Sequence, residues 1–310
     1  IGLAGDDTLE GRGGNDVISG GYGRDTIVMR GAIGDLGLDK IDGGEDFDTL
    51  DFSGLKGSIT LNLRAGTLGM AGELGAASLA GIRNIEGAIG TESGDVLIGS
   101  DGRNVLMGGG GDDVIDGGAG DDELDGGADA DTMTGGDGDD DYLVDNAGDQ
   151  VIEYEGGGRD TVIAALDTYR LGENIEVLVS ASVYSGKQNF HGIGNSGDNT
   201  IYSGGGDDIL EGGAGNDYIV SDKAFFGTPK PAGRDTLIGG PGDDYLMGGA
   251  GADLFVMRDG DGHDTVVDFD AAEGDRIDFS GLAGLTGFSS LSVTNSEYGD
   301  AILSFGDVSL

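Results

Sequence analysis

Gly108–Leu143 reads GGGGDDVID, GGAGDDELD, GGADADTMT and GGDGDDDYL, four nonapeptides in phase. The template is Gly-Gly-x-Gly-x-Asp-x-apolar-x, with Asp129 in place of the fourth-position Gly in the third copy. Outward from this run the same pattern returns as GRGGNDVIS at Gly11, GGYGRDTIV at Gly20 and GGEDFDTLD at Gly43. It returns again as GGAGNDYIV at Gly212, GGPGDDYLM at Gly239 and GGAGADLFV at Gly248. Looser copies include those beginning at Gly2, Gly90, Gly99 and Glu155, and roughly eighteen copies are recognisable in all. A single GGxG is what any flexible linker produces. In-phase runs with Asp sixth and an apolar residue eighth are not.

The physics of one repeat is legible in its residues. The first six positions are Gly-dense because a tight turn needs positive φ and close backbone approach. The last three, Val114–Asp116 or Glu123–Asp125, form a short strand whose middle side chain points to one face. Two nonapeptides make a coil of 18 residues, and coils stack at the ordinary strand spacing of about 4.8 Å. The predicted interior holds Leu9, Ile18, Ile27, Ile115, Leu124, Met133, Ile209 or its neighbour Leu210, Ile219, Leu246 and Phe255. No coil buries its apolar face alone, so neighbours are required.

Composition sharpens the reading. The 310 residues include 68 Gly, 3 Pro and no Cys, and carry a formal charge of −43. Such acidity repels nucleic acid and anionic membranes. No apolar run reaches 18 residues, so no transmembrane helix is expected, and disulfides and thiolate sites are excluded. A compact fold with this charge repels itself unless cations belong to it. Yet 37% of the residues are hydrophobic, enough for a core.

The sixth-position acids show where cations would go. They are Asp7, Asp16, Asp25, Asp39, Asp48, Asp95, Asp113, Asp122, Asp131, Asp140, Asp160, Asp208, Asp217, Asp235, Asp244, Asp253 and Asp264. At 18-residue spacing Asp95, Asp113 and Asp131 fall on one edge, with Asn104, Asp122 and Asp140 on the other. One isolated Asp would be a solvated turn residue. Carboxylates about 5 Å apart in register repel unless a cation sits between them. Carboxylate and carbonyl oxygens suit calcium better than magnesium, which demands a stricter octahedron.

On these motifs the chain resembles the RTX (repeats-in-toxin, haemolysin-type) calcium-binding family. The resemblance implies an all-β fold, a right-handed parallel β-roll or β-helix solenoid with calcium between turns, broken by spacer coils and closed by a C-terminal cap. It implies ligand sets too. In the family one turn supplies the carbonyls of positions two and four and its Asp, and the next same-side turn those of positions one and three and its Asp. One site is then Gly109, Gly111, Asp113, Gly126, Ala128 and Asp131, and another Gly118, Gly120, Asp122, Gly135, Asp137 and Asp140. Asn104 and Asn199 keep an oxygen but lose a charge. Roughly ten ions are expected in all.

The repeat divides the chain into blocks at 1–51, 90–163 and 194–267, the last with a loop insertion at 221–231. Spacers cover 52–89 and 164–193, and a cap covers 268–310. In the spacers, alternating Ile59, Leu61 and Leu63, and Val177 and Val179, predict coils that continue the solenoid with a wider loop. Exposed Phe225 and Phe226 in the insertion are a candidate contact. The cap, where DRIDFSGL at Asp275 echoes DTLDFSGL at Asp48, resembles the C-terminal region of serralysin-like secreted proteases.

No catalytic or organic-cofactor site is expected. HExxH, GxSxG, Walker A and EF-hand patterns are absent. His263 sits at a variable turn position, and His191 lies in a spacer with no partner evident from sequence. The resulting expectation is a non-catalytic calcium module, secreted or at the cell surface by a type I route, belonging to a larger enzyme, toxin or adhesin. The alternatives are an adhesive surface-layer or matrix protein and a carbohydrate-binding accessory module. Partners would be calcium, with cell-surface polysaccharide or a parent catalytic domain, and neither nucleic acid nor a membrane span.

Overall fold

The computed structural model describes residues 1–32, 36–70, 79–185, 188–223, 232–295, 301–305 and 308–309. Its backbone packs as two units, Ile1–Asp160 and Thr161–Leu310.

In the first unit the chain alternates between two walls of short parallel strands, so each strand pairs with the next but one. One wall holds Val105–Gly110, Glu123–Ala128 and Asp141–Val144, with Leu106, Leu124 and Tyr142 in register. The opposite wall holds Val96–Ile98, Val114–Ala119, Thr132–Asp137 and Gln150–Ile152, with Leu97, Ile115, Met133 and Val151 in register. The eighth-position side chains from Leu97 to Tyr142 are buried, while Val114, one residue earlier in its strand, is exposed. Period-two alternation produces this directly. Each buried leucine stabilises the stack by about 2 kcal/mol. The fold is an all-β parallel solenoid of the β-roll kind.

Glycine permits the corners. Gly109 and Gly118 both have φ 108°, which L side chains rarely adopt. A Cβ on the glycine before each would strike the turn's own aspartate, Asp113 Oδ2 over Gly108 and Asp122 Oδ2 over Gly117.

The first spacer departs from a simple wider coil. Ile59–Asn62 does lie parallel to Val96–Ile98, with Ile59, Leu61 and Leu63 buried. The Asn62 carboxamide then accepts the Ala65 N–H at 2.6 Å and turns the chain back. Thr67–Met70 and Leu79–Ala80 follow antiparallel, a hairpin at the wall's edge rather than a loop.

In the second unit one wall is Thr161–Ala164, Val177–Ser180, Thr200–Tyr202, Tyr218–Val220, Tyr245–Met247 and Thr265–Val266. The other is Thr168–Arg170, His191–Ile193, Ile209–Glu211, Thr236–Ile238, Leu254–Arg258 and Arg276–Gly281. Of the two candidates for one interior position, Leu210 is buried and Ile209 is 41% exposed. Val177 and Val179 do not alternate with an exposed residue, because Leu178 is buried as well. Val183, on the single helical turn Ser182–Ser185, packs outside the wall against Val177 and Val179. Arg276–Gly281 adds another parallel rung where the nonapeptide is no longer visible. Ser292–Asn295, Ala301–Phe305 and Val308–Ser309 then form a small antiparallel sheet. Phe225 and Phe226 lie outside the described residues.

Candidate metal centre

The sixth-position aspartates form ladders along the turns. From the second rung of each row on, the aspartate accepts at Oδ1 the backbone N–H of the rung one coil earlier. On one edge of the first unit the Asp95 amide donates to Asp113 at 2.5 Å and the Asp113 amide to Asp131 at 2.8 Å. On the other edge Asn104 donates to Asp122 at 2.6 Å, Asp122 to Asp140 at 2.8 Å and Asp140 to Asp160 at 3.0 Å. Asp7 donates likewise to Asp25, Asp25 to Asp48 and Asp16 to Asp39. In the second unit the series are Asn199, Asp217, Asp244, Asp264 and Asp208, Asp235, Asp253, Asp275.

The second carboxylate oxygen is the informative one. Oδ2 of Asp16, Asp25, Asp39, Asp48, Asp113, Asp122, Asp131, Asp140 and Asp217 is buried and accepts no hydrogen bond. Buried polar groups are nearly always satisfied, so a row of such oxygens calls for a partner of another kind. Carbonyls converge on the same places. A Cβ at Gly108 would meet Asp113 Oδ2 and also the carbonyl of Gly126, and at Gly117 Asp122 Oδ2 and the carbonyl of Gly135. The carbonyls of Gly109, Gly118 and Gly120 border Gly127, Gly136 and Gly138 of the following coils. The Asp137 carbonyl accepts the Gly120 N–H at 2.7 Å. Gly111 donates its N–H to Asp129 at 3.3 Å. Ala128 pairs with Gly110 in the wall.

Burial sets the electrostatics. It pushes Asp113, Asp140 and Asp217 up to about 7 and Asp122 and Asp48 up to about 6, with neighbouring carboxylates adding to the rise. Asp235 and Asp264 are driven to about 8 by the same causes. These are groups that fail to ionise comfortably without a cation beside them. All-oxygen donors, carboxylate and carbonyl, fit a hard divalent ion.

Some rungs satisfy themselves. Asp95 accepts from Ile59 N, Thr91 N and Thr91 Oγ1. Asp7, half-buried, accepts Leu3 N at Oδ2. Asn104 and Asn199 use their amide nitrogens to reach the carbonyls of Glu86 and Ile175. One ladder starts at Phe190, whose amide caps Asp208 and whose side chain carries no oxygen.

Three acids join the ladders beyond those expected from sequence, and a fourth lies beside one. Glu86 accepts the Asp48 amide at 2.9 Å, and Asp149 and Asp275 accept those of Asp131 and Asp253. Each stands two residues before the middle residue of its trio, in EGAI, DQVI and DRID, so the signal was present. The fourth, Glu153, sits at the start of a lengthened turn near Asp140 and Asp160. His191 pairs with Glu211 at 2.8 Å, and exposed His263 meets Ser309 at 2.5 Å.

The model of the RTX calcium-binding nonapeptide repeat matches residues 1–28, 89–124, 109–142, 118–151, 193–223 and 232–255. These segments are RTX calcium-binding repeats. Such repeats bind calcium, and most of the buried oxygens above lie within them. No curated protein matches the chain. Among solved structures the extracellular lipase LipA from Serratia marcescens is similar at 22% identity and a TM-score of 0.30. That likeness covers 70% of this chain and 37% of the lipase chain. The RTX assignment rests on the repeats and their register, not on that superposition.

Proposed function

We propose that this chain is a calcium-responsive folding module of a larger exported protein, non-catalytic in itself and held open by its own charge where calcium is scarce. The observation that carries this is the row of buried Oδ2 atoms without donors, on a chain of net charge −43. A binding site that does not exist in the unfolded chain turns binding energy into folding energy. Calcium at extracellular, millimolar levels is then the signal to fold, consistent with the low-affinity end of oxygen-ligand sites. Ions between successive same-side turns number on the order of ten, concentrated in the uninterrupted runs. The Asp113–Asp131 and Asp122–Asp140 sites draw their carbonyls from Gly109, Gly111, Gly126 and Ala128, and from Gly118, Gly120, Gly135 and Asp137. Export by a type I route, and a parent enzyme, toxin or adhesin, complete the reading.

The test is circular dichroism of the chain in chelator and then in millimolar calcium. A disordered spectrum that becomes β on adding calcium is expected. A β spectrum in chelator that calcium leaves unchanged overturns the proposal.

A further inference from the structure

Asp140, Glu153 and Asp160 bring carboxylate oxygens within 4.8 Å of one another, and all three residues are buried. Two oxygens bound to one calcium are at most about 5.2 Å apart, twice the longest usual bond. Three oxygens at this separation therefore fit a single coordination sphere. Asp140 is fully buried and its Oδ2 has no donor.

Glu153 makes this group unlike the regular rungs. It opens the turn that Asp160 closes, and that turn is longer than the repeat: Asp160 follows Asp140 by 20 residues, not 18. Where the regular turn has a glycine offering only its carbonyl, this one offers a carboxylate. The side chain is held in place from several sides. Tyr142, whose ring fills the interior, donates its hydroxyl to Oε1, the Tyr154 amide donates to Oε2 at 3.2 Å, and the amides of Gly135 and Gly136 also donate. These donors are neutral and fix the carboxylate beside Asp140 and Asp160.

We infer that Asp140, Glu153 and Asp160 form one three-carboxylate divalent-cation site, with Glu153 a ligand outside the nonapeptide pattern. The inference rests on the calcium-folding reading above and adds an order of filling. Affinity rises with ligand charge, so this site takes calcium ahead of the two-carboxylate rungs.

Calcium uptake by the full chain, measured against a competing chromophoric chelator, separates ions into tight and weak classes. E153Q keeps the side chain's size and an acceptor for Tyr142. It is expected to lose one ion from the tight class, that ion's affinity falling at least tenfold, with the weak class unmoved. Y142F keeps all three carboxylates and is expected to keep the tight ion. A tight class equal in E153Q and wild type overturns the inference while leaving the folding module intact. No calcium uptake by wild type overturns both. If E153Q fails to reach the wild-type β spectrum at saturating calcium, Y142F decides. A retained tight ion supports the site, and its loss shows Glu153 to be only Tyr142's hydrogen-bond partner, which overturns it.

Discussion

Asp95 and Asp113 are successive rungs of one ladder, both buried, both sixth in their repeats, yet their surroundings differ. Asp95 stands where the ladder meets the first spacer, and both its oxygens are taken by Thr91 and the Ile59 amide. Asp113 stands inside the uninterrupted run, and its Oδ2 has no donor. The repeat alone makes them equivalent. The neighbouring chain makes one a hydrogen-bonded end of the row and the other a residue that needs a cation. In this ladder the interior rung is the one left needing a cation, and the spacer closes the row by supplying protein donors.

The largest effect that sharpens this contrast is removal of calcium itself. Chelation should abolish the β spectrum and expand the chain, read by circular dichroism and hydrodynamic radius, because the interior rungs lose their counter-charge together. A chain that stays compact in chelator would show that the self-satisfied rungs suffice.

Next comes Asp113→Ala against Asp95→Ala. The first should raise the calcium midpoint for folding on the order of tenfold, about 1.4 kcal/mol. It should also flatten the transition, since a solenoid propagates folding through neighbouring coils. Asp95→Ala strands the Thr91 and Ile59 amides and should cost about 1–3 kcal/mol at saturating calcium. Its calcium midpoint should move less than that of Asp113→Ala. Equal midpoint shifts would erase the distinction between end and interior rungs.

The pH dependence divides the two states of the ladder. Asp113 and Asp140 are raised to about 7 by burial, against roughly 3.9 in an unfolded chain. Without calcium the folded form therefore holds more protons than the unfolded one. Its stability contribution is full below about pH 4 and is lost as pH rises through about 7. Chelated chain should show more β structure at pH 5 than at pH 8. With calcium the order reverses, because protons compete with the ion, so the calcium midpoint should be higher at pH 5. A chelated chain indifferent to pH would mean that the ladder carboxylates are not the groups opposing folding.

The smallest effect is expected from Asp112→Ala. Asp112, at the variable fifth position, is exposed and accepts one N–H from Ala130 at 3.2 Å. It removes the same charge as Asp113→Ala but should shift the calcium midpoint less than twofold. A shift matching that of Asp113→Ala would show that bulk charge, not the ladder, governs the response.

The nonapeptide by itself determined the coil, the walls and the acidic edges. Gly at the turn, an apolar eighth residue and a period of nine leave one way to bury a face and one line along which Asp repeats. It also carried an unread signal for Asp149 and Asp275, whose DQVI and DRID stretches keep the local spacing though the opening Gly-Gly is replaced. Tertiary structure alone decided three things. Asn62 folds the first spacer back as a hairpin, since a side chain capping Ala65 N–H is a local choice that no period announces. Glu86 keeps the local spacing in EGAI, but its pairing with Asp48, 38 residues earlier, is set across an insertion whose length hides the register. Glu153 reaches Asp140 and Asp160 because a turn two residues longer than its neighbours aims a side chain where the others place a carbonyl. Repetition specifies what every coil shares, while which oxygens meet depends on how coils of unequal length stack.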